Sequence, residues 1–395
     1  MKEDTTPTRW SDAFLDEMRL NADPLADDTI AQIMAAGDRE VVNTIFKSLR
    51  TNAALDRKNL PKVLQDFFEK ASQLPSWADP ELLKKGAEYF GSHALEFSML
   101  LSFVSLPLAY SSARGAQVLA TTGRLEEGKD GNLEKFTRRL METAQFVFNV
   151  GMPGGFQANG VAIESAMKVR LMHAIIRYYI KAHGPWDVAK YGEPINQEDL
   201  TGTMLSFSSL IYDGMDEMGI KPENELRAAH FHTWRVVGHL MGISPEMMPK
   251  EMKEGNALGW QILRRNRQTS QAGKDLTRAL IDFNKKAIPG TLFNHLPEVF
   301  IQYFCGRKIG AMLGVKSYGW FWEKFVPFFM VLFLRDLDSA THVTKFVAKI
   351  AARIQRKFLQ HTINEYYGYK KIEFQLPESL RSLHNLRLGA ENQDN

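Results

Sequence analysis

An all-α architecture is what this sequence predicts, and three observations carry it. Apolar residues recur at three- and four-residue spacing through nearly all of the 395 residues. The alternation a half-buried strand needs appears in one short piece, at Ile372, Phe374 and Leu376. Gly- and Pro-containing breaks punctuate the chain at helix-length intervals, yet no stretch is rich enough in Gly, Ser or Pro to split it into independent domains. One large helical domain follows, read as a helical extension over 1–78, a core over 79–290 and a helical region over 291–395.

The helices can be justified in order. Residues 12–19, 28–36, 39–50 and 61–72 each carry an apolar stripe, separated by turns at Asp23-Pro24, Gly37-Asp38, Leu74-Pro75 and Asp79-Pro80. Asp79-Pro80-Glu81 starts a helix: a capping side chain precedes a proline at the first helical position, where no N–H is needed. That helix is predicted to reach about Phe90, with the apolar segment 94–110 following as core. Residues 121–132, with Gly123, Gly128 and Gly131 among charges, read as an exposed connection. Helix resumes over 133–150, breaks at Gly151-Met152-Pro153-Gly154-Gly155, and resumes over 161–182 until Gly184-Pro185-Trp186. Further helices are expected from Gln197 to about Gly214, over 222–242 and over 260–286. Gly306, Gly310 and Gly314 recur every four residues, a spacing of small side chains that lets a neighbouring helix come close. Residues 386–395 are polar and expected to fray.

Composition excludes several classes. Hydrophobic content of 44% and charged content of 24% are those of an ordinary globular protein. A net charge of +3, with no basic block interleaved with aromatics, argues against nucleic acid as a partner. Cys305 is the single cysteine, so no intrachain disulfide and no cysteine metal cluster can form; that usage suits a reducing compartment. The first residues lack an apolar signal core and a twin arginine, so a cytoplasmic location is expected. The apolar stretches 100–110 and 325–334 fall short of the roughly 20 residues of a membrane helix, and no transmembrane segment is expected.

Common catalytic signatures are missing. There is no Gly-x-Ser-x-Gly elbow, no Walker loop, no Gly-x-Gly-x-x-Gly turn and no His-Glu-x-x-His pair, and none of the ten histidines follows a glutamate by three residues. What stands out is the run Val169-Arg170-Leu171-Met172-His173-Ala174-Ile175-Ile176-Arg177. Its spacing stacks Arg170, His173 and Arg177 on one helix face. Two cations flanking an imidazole make a poor face to bury unless something large and anionic lies against it. A haem has that character, with iron for the imidazole and propionates for the guanidiniums. The same residues also read as a surface histidine among solvated arginines, or as a core histidine bonded to a carbonyl.

On the preceding helix, Arg139 and Thr143 lead into an apolar stripe continuing to Phe146 and Val150, either as the polar end of a greasy pocket or as a surface arginine beside a threonine bonded to its own helix. His230, His232 and His239 could line a pocket or be structural. His93 reads as a hydrogen-bonded core histidine.

Taken together, Arg139-Leu140-Met141-Glu142-Thr143, the Gly-Met-Pro-Gly-Gly break, the His173 motif with both arginines, and Pro194-Ile195-Asn196-Gln197-Glu198-Asp199-Leu200 resemble the latex clearing protein family. These are the rubber oxygenases, related to the ER-bound oxygenases of fungal biosynthesis. Trp234-Arg235-x-x-Gly238-x-x-Met241-Gly242-Ile243 resembles the family as well, so the similarity spans about 90–242. The resemblance implies a globin-like all-α core holding a non-covalent haem b, with His173 ligating the iron and Arg139, Thr143, Arg170 and Arg177 shaping or anchoring the haem environment. It implies oxidative cleavage, by O2, of a carbon–carbon double bond, which in the family belongs to a polyisoprene.

Departures from the family pattern shift the expectation. A lysine directly before the threonine can cap the distal iron position in rubber-cleaving members; Glu142 stands there in this chain. The family's distal acid/base precedes the arginine, where Glu126 and Glu127 are both candidates, and Glu142 is a third. The expectation is therefore an intracellular, haem b-dependent oxygenase acting with O2 on an apolar, unsaturated small molecule. The alternative is a non-enzymatic helical protein that binds a lipid, another apolar ligand or haem.

Overall fold

Cap chemistry fixes where the first helices begin. Ser11 Oγ accepts from the Phe14 amide at 3.2 Å and starts α1 (Asp12–Met18). Asp23 caps α2 (Pro24–Ala35), which begins a turn earlier than its apolar stripe suggests because Pro24 occupies the first helical position. After α3 (Lys62–Ala71), the Asp79 carboxylate accepts from the Glu81 and Leu82 amides and starts α4 (Pro80–Ser92) as its sequence predicts. The computed structural model describes residues 1, 3–36, 41, 57–121, 131–151, 153–158, 160–183, 186–287 and 294–322. Outside them lie nearly all of the helix expected over 39–50, the connection carrying Glu126 and Glu127, the apolar stretch 325–334, the extended piece at Ile372 and the C-terminal tail.

Every regular element among the described residues is helical, and the one β-bridge, Ser112 to Arg267, is isolated. The all-α prediction holds. Three expected helices are divided, each for a local reason. Segment 94–110 is α5 (Ala94–Leu100), a π-helical turn at Leu101–Ser105, and α6 (Leu106–Ser111). Pro107 has no N–H for the ordinary bond to residue 103, and the Leu106 amide instead reaches five residues back to the Leu101 carbonyl. α7 (Ala113–Thr121), α8 (Gly131–Gly151), α9 (Val161–His183) and the short α10 (Val188–Tyr191) follow.

The helix expected from Gln197 to Gly214 is α11 (Gln197–Phe207) and α12 (Ile211–Glu217). Between them, Ser208 Oγ donates back to the Met204 carbonyl at 2.8 Å and Ser209 Oγ to the Leu205 carbonyl at 3.5 Å. Side chains that bond to their own backbone in this way weaken the helical ladder. α13 (Asn224–Leu240) matches its expected span. The single helix expected over 260–286 is α14 (Met252–Asn266) and α15 (Gln271–Ala287), because Gln268 donates its amide to the Ser111 carbonyl and Ser270 caps a new start through the Gly273 amide at 3.0 Å. α16 (Leu296–Met312) corrects the reading of the glycine stripe. Gly306 sits at φ +82° with open space around it and kinks the helix, so it is a backbone device and not a packing contact. Gly310 alone is tightly packed, against Gln302.

α9 occupies the centre of the helical array, packed against α2, α8 and α13; α13 in turn lies along α4, and α11 along α14. Trp10, Leu15, Ile30 and Ile33 of the N-terminal segment are buried in the same core as Trp260, Tyr212, Phe97 and Phe304. No single helix among the described residues is long and apolar enough to cross a membrane.

Candidate functional site

α8 and α9 pack against each other and, with α6, α7, α11, α13 and α14, line a cavity of about 340 Å³. That is the size of a small-ligand pocket. Most of its wall is apolar: Leu106, Leu119, Phe146, Ile176, Trp234 and Ile262 are representative. The polar side chains in the lining come mostly from α8 and α9, among them His173, Glu142, Thr143 and Arg139.

Helical phase explains which side chains of α9 reach the cavity. At about 100° per residue, Ser165, Lys168, Val169, Met172, His173 and Ile176 fill one sector of α9, with His173 at its edge. Arg170 and Arg177 fall about 40–60° beyond that edge. They point to α2 instead. Arg170 Nε and Nη2 donate to the two Asp23 carboxylate oxygens at 2.6 and 2.8 Å, and its Nη1 donates to the Leu240 carbonyl at 3.2 Å. Arg177 Nε donates to Asp27 Oδ1 at 2.7 Å and Nη1 to the Ile195 carbonyl at 3.3 Å. A Cβ on Gly242 would come within 2.7 Å of Asp23 Oδ2 and 2.8 Å of Arg170 Nε, and φ there is +85°. Glycine is what the ion pair and the turn together require.

Arg170 and Arg177, read from the sequence as partners for propionates, lie outside the cavity lining and are ion-paired with Asp23 and Asp27. Both are buried and already committed to aspartates of the N-terminal segment. Sequence spacing put the three residues on one helix face but could not reveal that acids 147 and 150 residues earlier would pair with two of them.

His173 does lie in the cavity wall, and among the described lining residues it is the one histidine. Glu142 and Arg139 line the cavity from α8. Thr143 does both things its sequence context allows, since its Oγ1 donates to the Arg139 carbonyl at 2.9 Å while the residue lines the cavity. Glu126 and Glu127 lie outside the described residues. No group of three or more His, Cys, Asp or Glu able to hold a bare metal ion occurs among the described residues.

The histidines of α13 are structural. His230 is buried, stacks on Phe97 with ring centroids 4.6 Å apart, and accepts at Nε2 from Trp234 Nε1 at 3.1 Å. Burial pushes its pKa down to about 3, so the ring is neutral. His232 Nε2 accepts from the Asp79 amide at 2.9 Å, and His239 packs beside Trp77. His93 is half-buried against Tyr89, with Nδ1 2.9 Å from Ser92 Oγ.

Two polar features of the wall escaped the sequence reading. Along the α8–α9 seam, Gln145 Nε2 donates to Asn149 Oδ1 at 2.8 Å, Asn149 Nδ2 donates to Ser165 Oγ at 2.7 Å, and Lys168 Nζ lies 3.2 Å from Glu164 Oε1. These residues look like ordinary helix-surface side chains until the two helices are paired. On the opposite wall, Asp199 shares the buried Arg19 with Glu198, both at 3.0 Å. Asn196 caps α11 by accepting from the Asp199 amide at 3.0 Å and returning a bond from Nδ2 to Asp199 Oδ2 at 2.9 Å. That reciprocal Asn-x-x-Asp cap was legible in the sequence as a helix start. Its role in the cavity wall was not.

Three likenesses to known proteins bear on the site. The sequence profile described as "ER-bound oxygenase mpaB/B'/Rubber oxygenase, catalytic domain" matches residues 92–371. A "Rubber oxygenase" of Streptomyces sp. (strain K30) is 26% identical over 297 residues, covering 75% of this chain and 71% of that protein. The solved "Structure of Latex Clearing Protein LCP in the closed state" superposes with a TM-score of 0.69 at 22% identity, covering 87% of this chain and 91% of that one, which is a likeness of fold.

Proposed function

Because this chain belongs to the catalytic-domain family of the ER-bound oxygenases and rubber oxygenases, we propose that it is a haem b-dependent enzyme that uses O2 to oxidise an apolar, unsaturated small molecule, by cleavage of a carbon–carbon double bond or a related oxidation. The chain is an oxygenase, so the reading as a passive lipid or haem carrier is set aside. The observation that carries the finer reading is His173, a single imidazole in the wall of a cavity that is otherwise largely apolar.

The residues present fit such a group. An imidazole is the common protein ligand of haem iron, and Arg139 and Lys168, both in the lining, are cations suited to carboxylates. Bound there, haem b would supply an iron centre able to activate O2. The chain's own work is positional and protective. α9 holds His173 rigidly because Asp23 and Asp27 pin the helix at residues on either side of it. Leu106, Leu119, Phe146 and Ile262 present a surface that favours an alkene over water. Glu142 stands where the rubber-cleaving relatives of the family place a lysine, and its carboxylate is one of the groups in the lining able to take up or return a proton within the cavity.

An absorption spectrum tests the reading. Protein supplied with haem should develop a Soret band, His173→Ala should lose it or shift it, and His239→Ala should leave it unchanged. A wild-type protein that takes up no haem overturns the cofactor assignment.

A further inference from the structure

The packing of His230 reaches the cavity through Trp234. His230 is 2% exposed, and its Nε2 accepts from the Trp234 indole N–H at 3.1 Å. A neutral imidazole that accepts at Nε2 carries its proton on Nδ1. That Nδ1 has no hydrogen-bond partner among the described residues. A buried donor left unpaired costs the hydration it gave up. Phenylalanine would fill the same space without that cost, but it cannot accept from the indole. What the histidine adds over an apolar ring is the orientation of Trp234.

Trp234 lines the cavity, and two further rings meet it there. The Phe207 ring of α11 lies 5.3 Å from that of Trp234 between centroids, at an interplanar angle of 39°, and the Phe146 ring of α8 lies at 6.5 Å and 67°. Both phenylalanines belong to the lining and are half-buried. Elsewhere the wall is aliphatic, as at Leu106, Leu119 and Ile262. Aliphatic side chains exclude water as well as aromatic ones do. What three rings offer beyond that is a set of π faces and edges, which favour offset or edge-on contact with another flat π system. An indole able to turn over about its Cβ–Cγ bond would present no fixed face. The bond to His230 selects one orientation, and His230 is itself wedged in place. Phe97 stacks on it at 4.6 Å and 30°, and Tyr212 meets it edge-on at 5.7 Å and 84°.

We propose that Trp234, oriented by His230 and flanked by Phe146 and Phe207, is a specificity-determining residue that selects a planar, conjugated alkene over an unconjugated one of the same skeleton. His230 lies outside the lining and acts through Trp234, as a positioning residue. The inference rests on the reading of this cavity as the ligand site. It narrows the substrate from any apolar alkene to one whose double bond continues into a flat π system.

Wild-type protein, Trp234→Leu, Trp234→Phe, His230→Phe and His230→Gln are titrated calorimetrically, with and without supplied haem, against trans-stilbene and trans-dicyclohexylethene. The two compounds share a carbon skeleton and a double bond and differ in conjugation. Haem affinity is read separately at the Soret band. The wild type should prefer stilbene, and Trp234→Leu should reduce that preference by about two- to ten-fold, with Trp234→Phe reducing it less. His230→Phe leaves every lining residue in place and should also reduce the preference, whereas His230→Gln returns an acceptor to the indole and should restore it. Loss of folded protein would weaken both compounds alike, so their ratio reports the ring and its orientation. A wild type without the preference, or a Trp234→Leu variant that keeps it, overturns the proposal. A Trp234→Leu variant that loses haem affinity and keeps the ratio does so too, because the ring would then serve the cofactor. A His230→Phe variant that keeps the ratio overturns the positioning role. Absence of any Soret band in the wild type would instead remove the haem reading, with the ratio in haem-free protein still deciding the role of Trp234.

Discussion

At the scale of single residues, the central fact is that three neighbours in sequence have different fates. His173 faces the cavity while Arg170 and Arg177 are drawn into ion pairs with Asp23 and Asp27. Truncating one member of a buried pair strands the other, which typically costs about 3–5 kcal/mol. Arg170→Met should therefore lower stability by roughly that amount in urea unfolding, and Asp23→Leu combined with Arg170→Met should recover much of the loss. A double variant as unstable as the sum of both single changes would refute this account. His230 makes a second prediction. Its folded pKa is about 3, and in the unfolded chain it would titrate near its ordinary value, about 6.5. Between those values the unfolded state binds a proton that the native state refuses, so stability falls as pH falls, by about 1.4 kcal/mol per pH unit. His232 and His239 shift in the same direction, so part of the acid sensitivity belongs to them. His230→Phe should flatten the stability-versus-pH slope between pH 6 and 4 by about one proton, measured as the change in unfolding free energy across that range.

At the scale of elements, periodicity located the helices and missed where they break. Apolar spacing resumes at Leu210 and Ile211 straight after Ser208-Ser209, which hides that break, whereas the second break lies in a wholly polar run from Arg264 to Gln271. The breaks come from side chains that compete with the backbone, at Ser208 and Ser209, or that cap a new start, at Ser270. Ser270→Ala should cost about 1 kcal/mol, with Ser270→Asp restoring most of it, as expected for an N-cap. Thermal melts of the two variants distinguish this from a merely exposed serine, for which neither change would matter. The π-helical turn before Pro107 was not anticipated, although a missing N–H must alter the ladder somewhere nearby. Asp23-Pro24 read as a turn when it is a cap, although the same pair at Asp79-Pro80 read as a cap. The difference is that the apolar stripe of α2 becomes clear only after its first turn.

At the scale of the whole molecule, the N-terminal segment is part of the working core even though the family profile begins at residue 92. It buries Trp10, Leu15, Ile30 and Ile33 and supplies both acids that fix α9. Deleting residues 1–36 should leave a chain that is insoluble or lacks a cooperative melt, as judged by circular dichroism; a cooperative fragment of near-native stability would contradict it. Local chemistry was enough for the sequence to determine an all-α fold, most helix spans, the family resemblance, and that one helix bears Arg139 and Thr143 and another bears His173. Each of those depends on neighbours within a turn or two, or on a motif read as it stands. Only the tertiary structure decided which face of α9 meets the cavity, which cations stay available there, and that Lys168, Asn149 and Ser165 share one wall. Those outcomes depend on charges and surfaces brought together from distant parts of the chain, and helical phase alone does not say which partner a buried arginine will find.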